Sequence, residues 1–175
     1  MVYFTSDWHL GHRNILKFRF KNENATEQDV FEHGMKIIKN YKEIITKRDT
    51  VYFLGDIIFD KKYLDYMKEL PGRKILVLGN HDSEFFSTKE LLEVFDEVLG
   101  CKRYKMFWLS HIPIHESELR GKLNIHGHTH SFIVPDKRYF NVCVEQTNYY
   151  PISLDEIMPL EKRNDYKELQ RKEQK

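Results

Sequence analysis

Cysteine is scarce in this chain: Cys101 and Cys143 are the only two among 175 residues, and they lie far apart in sequence. A chain of this length buries a core without covalent staples, so no disulfide framework is expected and a reducing compartment fits. An excess of charge of one sign is missing too. Lys and Arg total 28 against 27 for Asp and Glu, a net charge of +1, which gives no bulk field to hold nucleic acid or an anionic membrane. No apolar run approaches the roughly 18–20 residues that span a bilayer, and Met1-Val2-Tyr3-Phe4 leads straight into polar residues without a basic leader. The expectation is a cytoplasmic chain with no membrane partner. Glycine and proline number only 8 and 5, and they never gather with serine into a linker, nor does any segment repeat. One domain over residues 1–160 is therefore expected, followed at 161–175 by a charged tail or helix with only Tyr166 and Leu169 apolar.

What is present in quantity is aromatic residues, 14% of the chain, within a hydrophobic total of 41%; this composition rules out a disordered chain. The apolar pattern of the first half alternates strand and helix. Val2-Tyr3-Phe4-Thr5 reads as a strand ending at Ser6-Asp7-Trp8-His9. Thr26-Glu27-Gln28-Asp29 has the form of a capping box before a long amphipathic helix that carries Val30, Ile37, Ile38, Tyr41 and Ile45. Thr50 to Leu54 is a buried-type strand that stops at Gly55-Asp56. Tyr63, Leu64, Met67 and Leu70 have helical spacing, and Lys74 to Leu78 forms a strand that ends at Gly79-Asn80-His81-Asp82. A further helix is expected over Thr88–Phe95. The second half is strand-rich, with short pieces at Val98–Leu99, Tyr104–Leu109, Leu123–Ile125, Phe132–Val134 and Tyr139–Val144. This order predicts an α/β/β/α sandwich of two mixed sheets, in which ligands bind beyond the carboxyl ends of the strands.

Nine histidines are the second surplus. Asp7 and His9, Asp56, Asn80 and His81, His111, and His128 and His130 all fall where a strand gives way to a loop. Carboxylate and imidazole are the usual ligands of divalent transition metals, and an Asp carries two oxygens able to bridge two ions. In an extended Asp-x-His or His-x-His pair both side chains point to one face. A single Asp-x-His serves equally well as a turn or helix cap, and Gly-Asp after a strand is a common turn. The ordered set of them is harder to obtain by chance.

Taken together, Asp7-x-His9, Gly55-Asp56, Gly79-Asn80-His81-Asp82, His111 and Gly127-His128-x-His130 resemble the ordered motifs of the calcineurin-like metallophosphoesterases. The resemblance runs from Val2 to about Leu160. Gly11-His12-Arg13-Asn14-Ile15, Ser110 to His115, and Tyr150-Pro151-Ile152-Ser153-Leu154 are similar to a small bacterial and phage branch of that family. It implies a metal-dependent phosphoesterase with two divalent ions, Mn, Fe, Zn or Ni. Asp7, His9, Asp56 and His130 would hold one ion, and Asp56, Asn80, His111 and His128 the other, with Asp56 as the bridge and a shared hydroxide as nucleophile. His81 would assist the leaving group and Asp82 would orient it. The family spans many phosphoesters, so the resemblance does not choose the substrate; a nucleotide or other phosphomonoester is the first expectation, a phosphodiester such as a cyclic nucleotide, dinucleotide or nucleic acid the alternative, and a metal-free protein-binding scaffold a third.

Outside these motifs, His12, Arg13 and Asn14 follow the first ligand pair and are candidates for gripping an anionic substrate. Arg120 and Lys122 are basic loop residues that either approach substrate or are simply solvated. His115 and His126 flank ligand motifs as candidate supports for ligand orientation. His33 is expected to be exposed on the long helix, Trp8 to pack, and the two thiols to have no role.

Overall fold

The computed structural model describes residues 1–159 and residue 162, so the expected charged segment at 161–175 lies, Lys162 aside, outside the described residues. The first sheet contains β1 (Val2–Thr5), β2 (Thr50–Phe53), β3 (Arg73–Val77), β4 (Glu97–Leu99) and β9 (Ile152–Ser153). Their order is β4-β3-β2-β1-β9, parallel except for the antiparallel edge strand β9. The second sheet has the order β5-β6-β7-β8, from Lys102–Tyr104, Phe107–Ser110, Leu123–His126 and Tyr139–Asn141. There β5 and β6 form an antiparallel hairpin, and the remaining pairs are parallel. Two mixed sheets flanked by helices thus form the expected α/β sandwich.

Period-two alternation decides which side chain goes where. Tyr3, Val51, Phe53 and Leu76 face one way, onto Ile37, Ile38 and Tyr41 of α2 (Glu27–Ile44) and Met67 of α3 (Leu64–Lys68). Phe4, Tyr52, Ile75 and Val77 face the other, onto Phe107, Leu109, Leu123 and Ile125 of the second sheet. The central strands are covered on both faces, which is why they read as unbroken apolar runs. The start of α2 is set by the capping box at Thr26, whose side chain accepts from Asp29 N while the Asp29 carboxylate accepts from Thr26 N. Trp8 is buried between Tyr41 and Phe53 with edge-on ring contacts, a packing residue as expected.

Several sequence expectations need correction. Helix α1 (Arg13–Phe20) is absent from the elements expected above; Ile15 and Leu16 are the only apolar residues it buries and it has no side-chain cap, so its apolar signal is weak. The run at 104–109 is a hairpin turning at Lys105, with φ 54°, a turn without the usual glycine. Phe132 and Ile133 form no strand and are exposed, 61% and 63%. His33 is buried rather than exposed, because its Nε2 lies 3.0 Å from Arg19 Nη1. None of the described helices is long and apolar enough to cross a membrane.

Parallel pairing brings the functional loops level. Thr5 pairs with Phe53, and Phe53 with Leu76, so Asp7, Asp56 and Asn80 leave their strands at one edge. Ser110 pairs with His126, which does the same for His111 and His128. The two edges join through the parallel bridge Ser6–Cys143 and the hydrogen bond from Val144 N to Ser6 O.

Candidate metal centre

Backbone strain concentrates at these loops. Asp7, His9, Asp56, His128 and His130 all have positive φ, between 47° and 67°, a region that costs a non-glycine residue about 1–3 kcal/mol. Neighbouring loops hold them there: Asp7 N donates to Gly55 O and His9 N to Asp56 O. Close approach also requires two glycines. A methyl group on Gly79 would overlap the Asp56 carboxylate, and one on Gly127 would overlap Ser6 Oγ and Asp7 Oδ2.

The resulting donor atoms converge in two groups, Asp7 with His9 and His130, and Asp7 with Asp56 and His111, each with its ligand atoms within 4.8 Å of one another. In the first, Asp7 Oδ1 lies 3.7 Å from both His9 Nε2 and His130 Nε2. Asp7 Oδ2 is satisfied by Ser6 Oγ at 2.5 Å, His128 N at 2.9 Å and Cys143 Sγ at 3.1 Å, whereas Asp7 Oδ1 and His9 Nε2 are buried without any hydrogen-bond partner. Cys143 therefore has a role its sequence spacing did not suggest. In the second group, His111 Nε2 lies 3.4 Å from Asp56 Oδ2, 3.0 Å from Asn80 Oδ1 and 3.2 Å from His128 Nδ1. His111 Nδ1 donates to Leu54 O at 2.7 Å, which leaves Nε2 facing three other acceptor-type atoms.

These donors fit divalent ions. Buried polar atoms without partners are rare and costly, and a cation between them supplies what hydrogen bonding does not. The same field acts on protons. Burial opposes charge on His111, but Asp56 and Asp7 outweigh it and lift the His111 pKa to about 9. Burial likewise opposes ionisation of Asp7, yet the surrounding imidazoles hold its pKa well below the usual carboxylate range. A cluster that draws in positive charge from its own protons is primed for metal.

The neighbouring candidates divide. His81 is on the cleft wall, its side chain 40% exposed, with Nδ1 3.1 Å from Glu84 Oε2. The carboxylate beside its ring is thus Glu84. Asp82, the expected orienting residue, instead turns inward and accepts from the backbone N–H groups of Asp56, Ile57 and Gly79, fixing the Asp56 and Asn80 loops against each other; burial raises its pKa. His12 reaches the site, with Nδ1 3.1 Å from His9 Nδ1 and its ring stacked on Phe59. Arg13 points to Glu27 at 3.5 Å, and Asn14 is exposed on the first turn of α1, so neither joins the cluster. Arg120 and Lys122 line a separate depression with Arg103 and Trp108, and Arg120 pairs with Glu118. His115 caps the turn at 116–118 by accepting from Ser117 N, while His126 is buried with Nδ1 on Gly127 O.

Two contributors escaped the sequence reading, Phe59 and Glu145. Phe59 stacks on His9 and His12 and touches His81, making an aromatic floor. Glu145 Oε1 accepts from His130 Nδ1 at 2.8 Å and from Arg19 Nε at 2.6 Å. Glu145 follows a strand-like run just as Asp7 and Asp56 do, and that position is the signal that would have found it. Beside the cluster is a cleft of about 730 Å³ whose walls include His12, His81, His130, Phe18 and Tyr149.

Comparison with known proteins agrees with this geometry. The sequence profile of the calcineurin-like phosphoesterases matches residues 1–172. The uncharacterized protein MJ1445 of Methanocaldococcus jannaschii is 36% identical over 91% of this chain and 90% of its own length. The Gene 66 protein of Mycobacterium phage L5 is 33% identical over 74% of this chain and 77% of its own. A crystal structure of AQ665 from Aquifex aeolicus, described as of unknown function, superposes with a TM-score of 0.69 at 33% identity, covering 90% of this chain and 97% of that one. With the candidate ligand residues drawn to one edge of two mixed sheets, the chain belongs to the calcineurin-like phosphoesterase family, metal-dependent hydrolases of phosphate esters.

Proposed function

We propose that this chain hydrolyses nucleotides or other phosphomonoesters at a two-metal centre, with Asp7, His9, Asp56 and His130 holding one ion and Asp56, Asn80, His111 and His128 the other. The observation that carries this reading is the pair of buried orphans, Asp7 Oδ1 and His9 Nε2, within a converging donor set. Two such ions would supply an activated water and offset the negative charge of the phosphoryl group. Every other part is played by the chain. Asp82 locks the two central loops through three backbone amides, so the ligands are in place before substrate arrives. His81, with both ring nitrogens protonated, would donate to the leaving oxygen: its Nδ1–H is held by Glu84 and its Nε2–H is the proton left for the substrate. Phe59 fixes the plane of His12, which extends the site towards the cleft.

The cleft of about 730 Å³ favours a second reading. It gives the far substituent of a phosphodiester a place to lie along Phe18 and Tyr149, so dinucleotides, cyclic nucleotides and nucleic acid are the alternative substrates. The test is turnover of an aryl phosphomonoester and an aryl phosphodiester by metal-free protein reconstituted separately with Mn, Fe, Zn, Ni and Mg. Monoester turnover above diester turnover supports the first reading and the reverse the second; a protein that binds none of the metals and cleaves neither ester refutes both.

A further inference from the structure

The centre has a support that neither the ligand motifs nor the proposed chemistry requires. Arg19, on α1, is almost wholly enclosed, its side chain 2% exposed, and its ion pair with Glu145 is correspondingly shielded. Each nitrogen of the guanidinium is used. Nε donates to Glu145 Oε1, Nη1 reaches Trp8 O at 3.3 Å and His33 Nε2 at 3.0 Å, and Nη2 donates to Asp7 O. Glu145 Oε1 also receives His130 Nδ1. One planar cation therefore holds the carbonyl of Asp7, a residue at φ 58°, and the carboxylate that sets the ring of His130.

The chemistry of that arrangement is specific. An imidazole that gives its Nδ1 proton to a carboxylate presents Nε2 as a lone pair, and the carboxylate raises the basicity of that lone pair. His130 Nε2 is the atom 3.7 Å from Asp7 Oδ1. As a source of stability the buried pair gains little, since desolvation consumes much of the attraction. What the planar fork does supply is orientation.

We propose that Arg19 and Glu145 are positioning residues for one metal site only, the one formed by Asp7, His9 and His130, and that His33 holds Arg19 in place by accepting from it. This rests on the two-metal reading above. None of the described contacts of Arg19 or Glu145 reaches Asn80, His111 or His128; Asp7, which also stands in the second donor group, is their single link to the second site, and Glu145 acts on the first through His130.

The test is calorimetric titration of metal-free protein with Mn2+, which reads binding without turnover, repeated with Co2+ and visible absorption. His130→Ala identifies the binding step of the first site, and Asn80→Ala that of the second. Glu145→Ala is expected to weaken the His130-dependent step by about 10–100-fold and leave the Asn80-dependent step unchanged, with a changed Co2+ spectrum at the first site alone. Glu145→Gln keeps an acceptor of nearly the same shape and is expected to restore part of the loss. Arg19→Met should weaken the same single step. Wild-type binding of both ions by a folded Glu145→Ala together with a folded Arg19→Met overturns the inference, as does equal weakening of both steps. A wild-type chain that binds no Mn2+ or Co2+ overturns the two-metal reading instead, so the two failures are distinguishable.

Discussion

Asp7 Oδ1 and His130 Nε2 lie 3.7 Å apart, although 122 residues of chain separate the two. Strand β1 delivers one from the first sheet, and the loop after β7 delivers the other from the second, so the proposed first metal site forms only when the two sheets are packed. Occupancy of the site and docking of the sheets are therefore one equilibrium, and metal should stabilise the fold strongly.

The first prediction follows from that coupling. An ion at 100 times its dissociation constant adds about 2.7 kcal/mol to unfolding, which for a chain of this size raises Tm by roughly 5–10 °C. Thermal scans with and without Mn2+ check it, and Asp7→Asn should abolish most of the rise. An unchanged wild-type Tm at saturating metal would count against the site.

Asp56→Asn and His81→Ala should separate binding from turnover. Asp56→Asn is expected to lose bound metal and activity together. His81→Ala, at the half-exposed residue on the cleft wall, should retain metal and lose about 10²–10⁴-fold in kcat. Metal analysis beside steady-state kinetics reads both, and His81→Ala with undiminished kcat would remove the proton-donor role.

Gly79→Ala should act out of proportion to one methyl group. Its Cβ would overlap the Asp56 carboxylate, so we expect about 1–3 kcal/mol lost in urea unfolding together with weakened metal binding. A variant with native stability and native metal content would show that the loop has room to relax.

His33 gives a pH signature. Burial and then the nearby Arg19 guanidinium push its pKa down to about 3 in the folded chain, against about 6.5 unfolded. The unfolded chain therefore takes up a proton first, and stability is lost as pH falls from about 6.5 towards 3, by at most about 1.4 kcal/mol per pH unit. Unfolding free energies of wild type and His33→Phe, measured from pH 7 to 4, should converge or cross as pH falls. A constant difference across that range would mean that His33 is protonated equally in both states.

The strand ends that carry the proposed metal ligands are legible in the sequence because each follows an apolar run that is easily read, and register then brings equivalent strand ends level. The long helix was legible for the same local reasons, a reciprocal cap at Thr26 and an apolar stripe. Arg19 is not, because Ile15 and Leu16 are the only apolar residues α1 buries, and nothing nearby in sequence announces that its partners are Asp7, Trp8, His33 and Glu145. Asp82 misled through adjacency to His81: a four-residue helix begins there, and its backbone turns neighbouring side chains in different directions. Which carboxylate meets which imidazole is a property of tertiary packing.

Five of the proposed ligands occupy left-handed backbone, where β-branched and bulky residues are strongly disfavoured while Asp, Asn and His are several-fold enriched. Geometry consequently narrows the usable alphabet at these positions before any metal is considered. A chain drifting by mutation at Asp7, Asp56 or His128 would be steered by its own backbone towards a handful of residue types, most of them donors of oxygen or nitrogen. The fold in this sense proofreads its own active site.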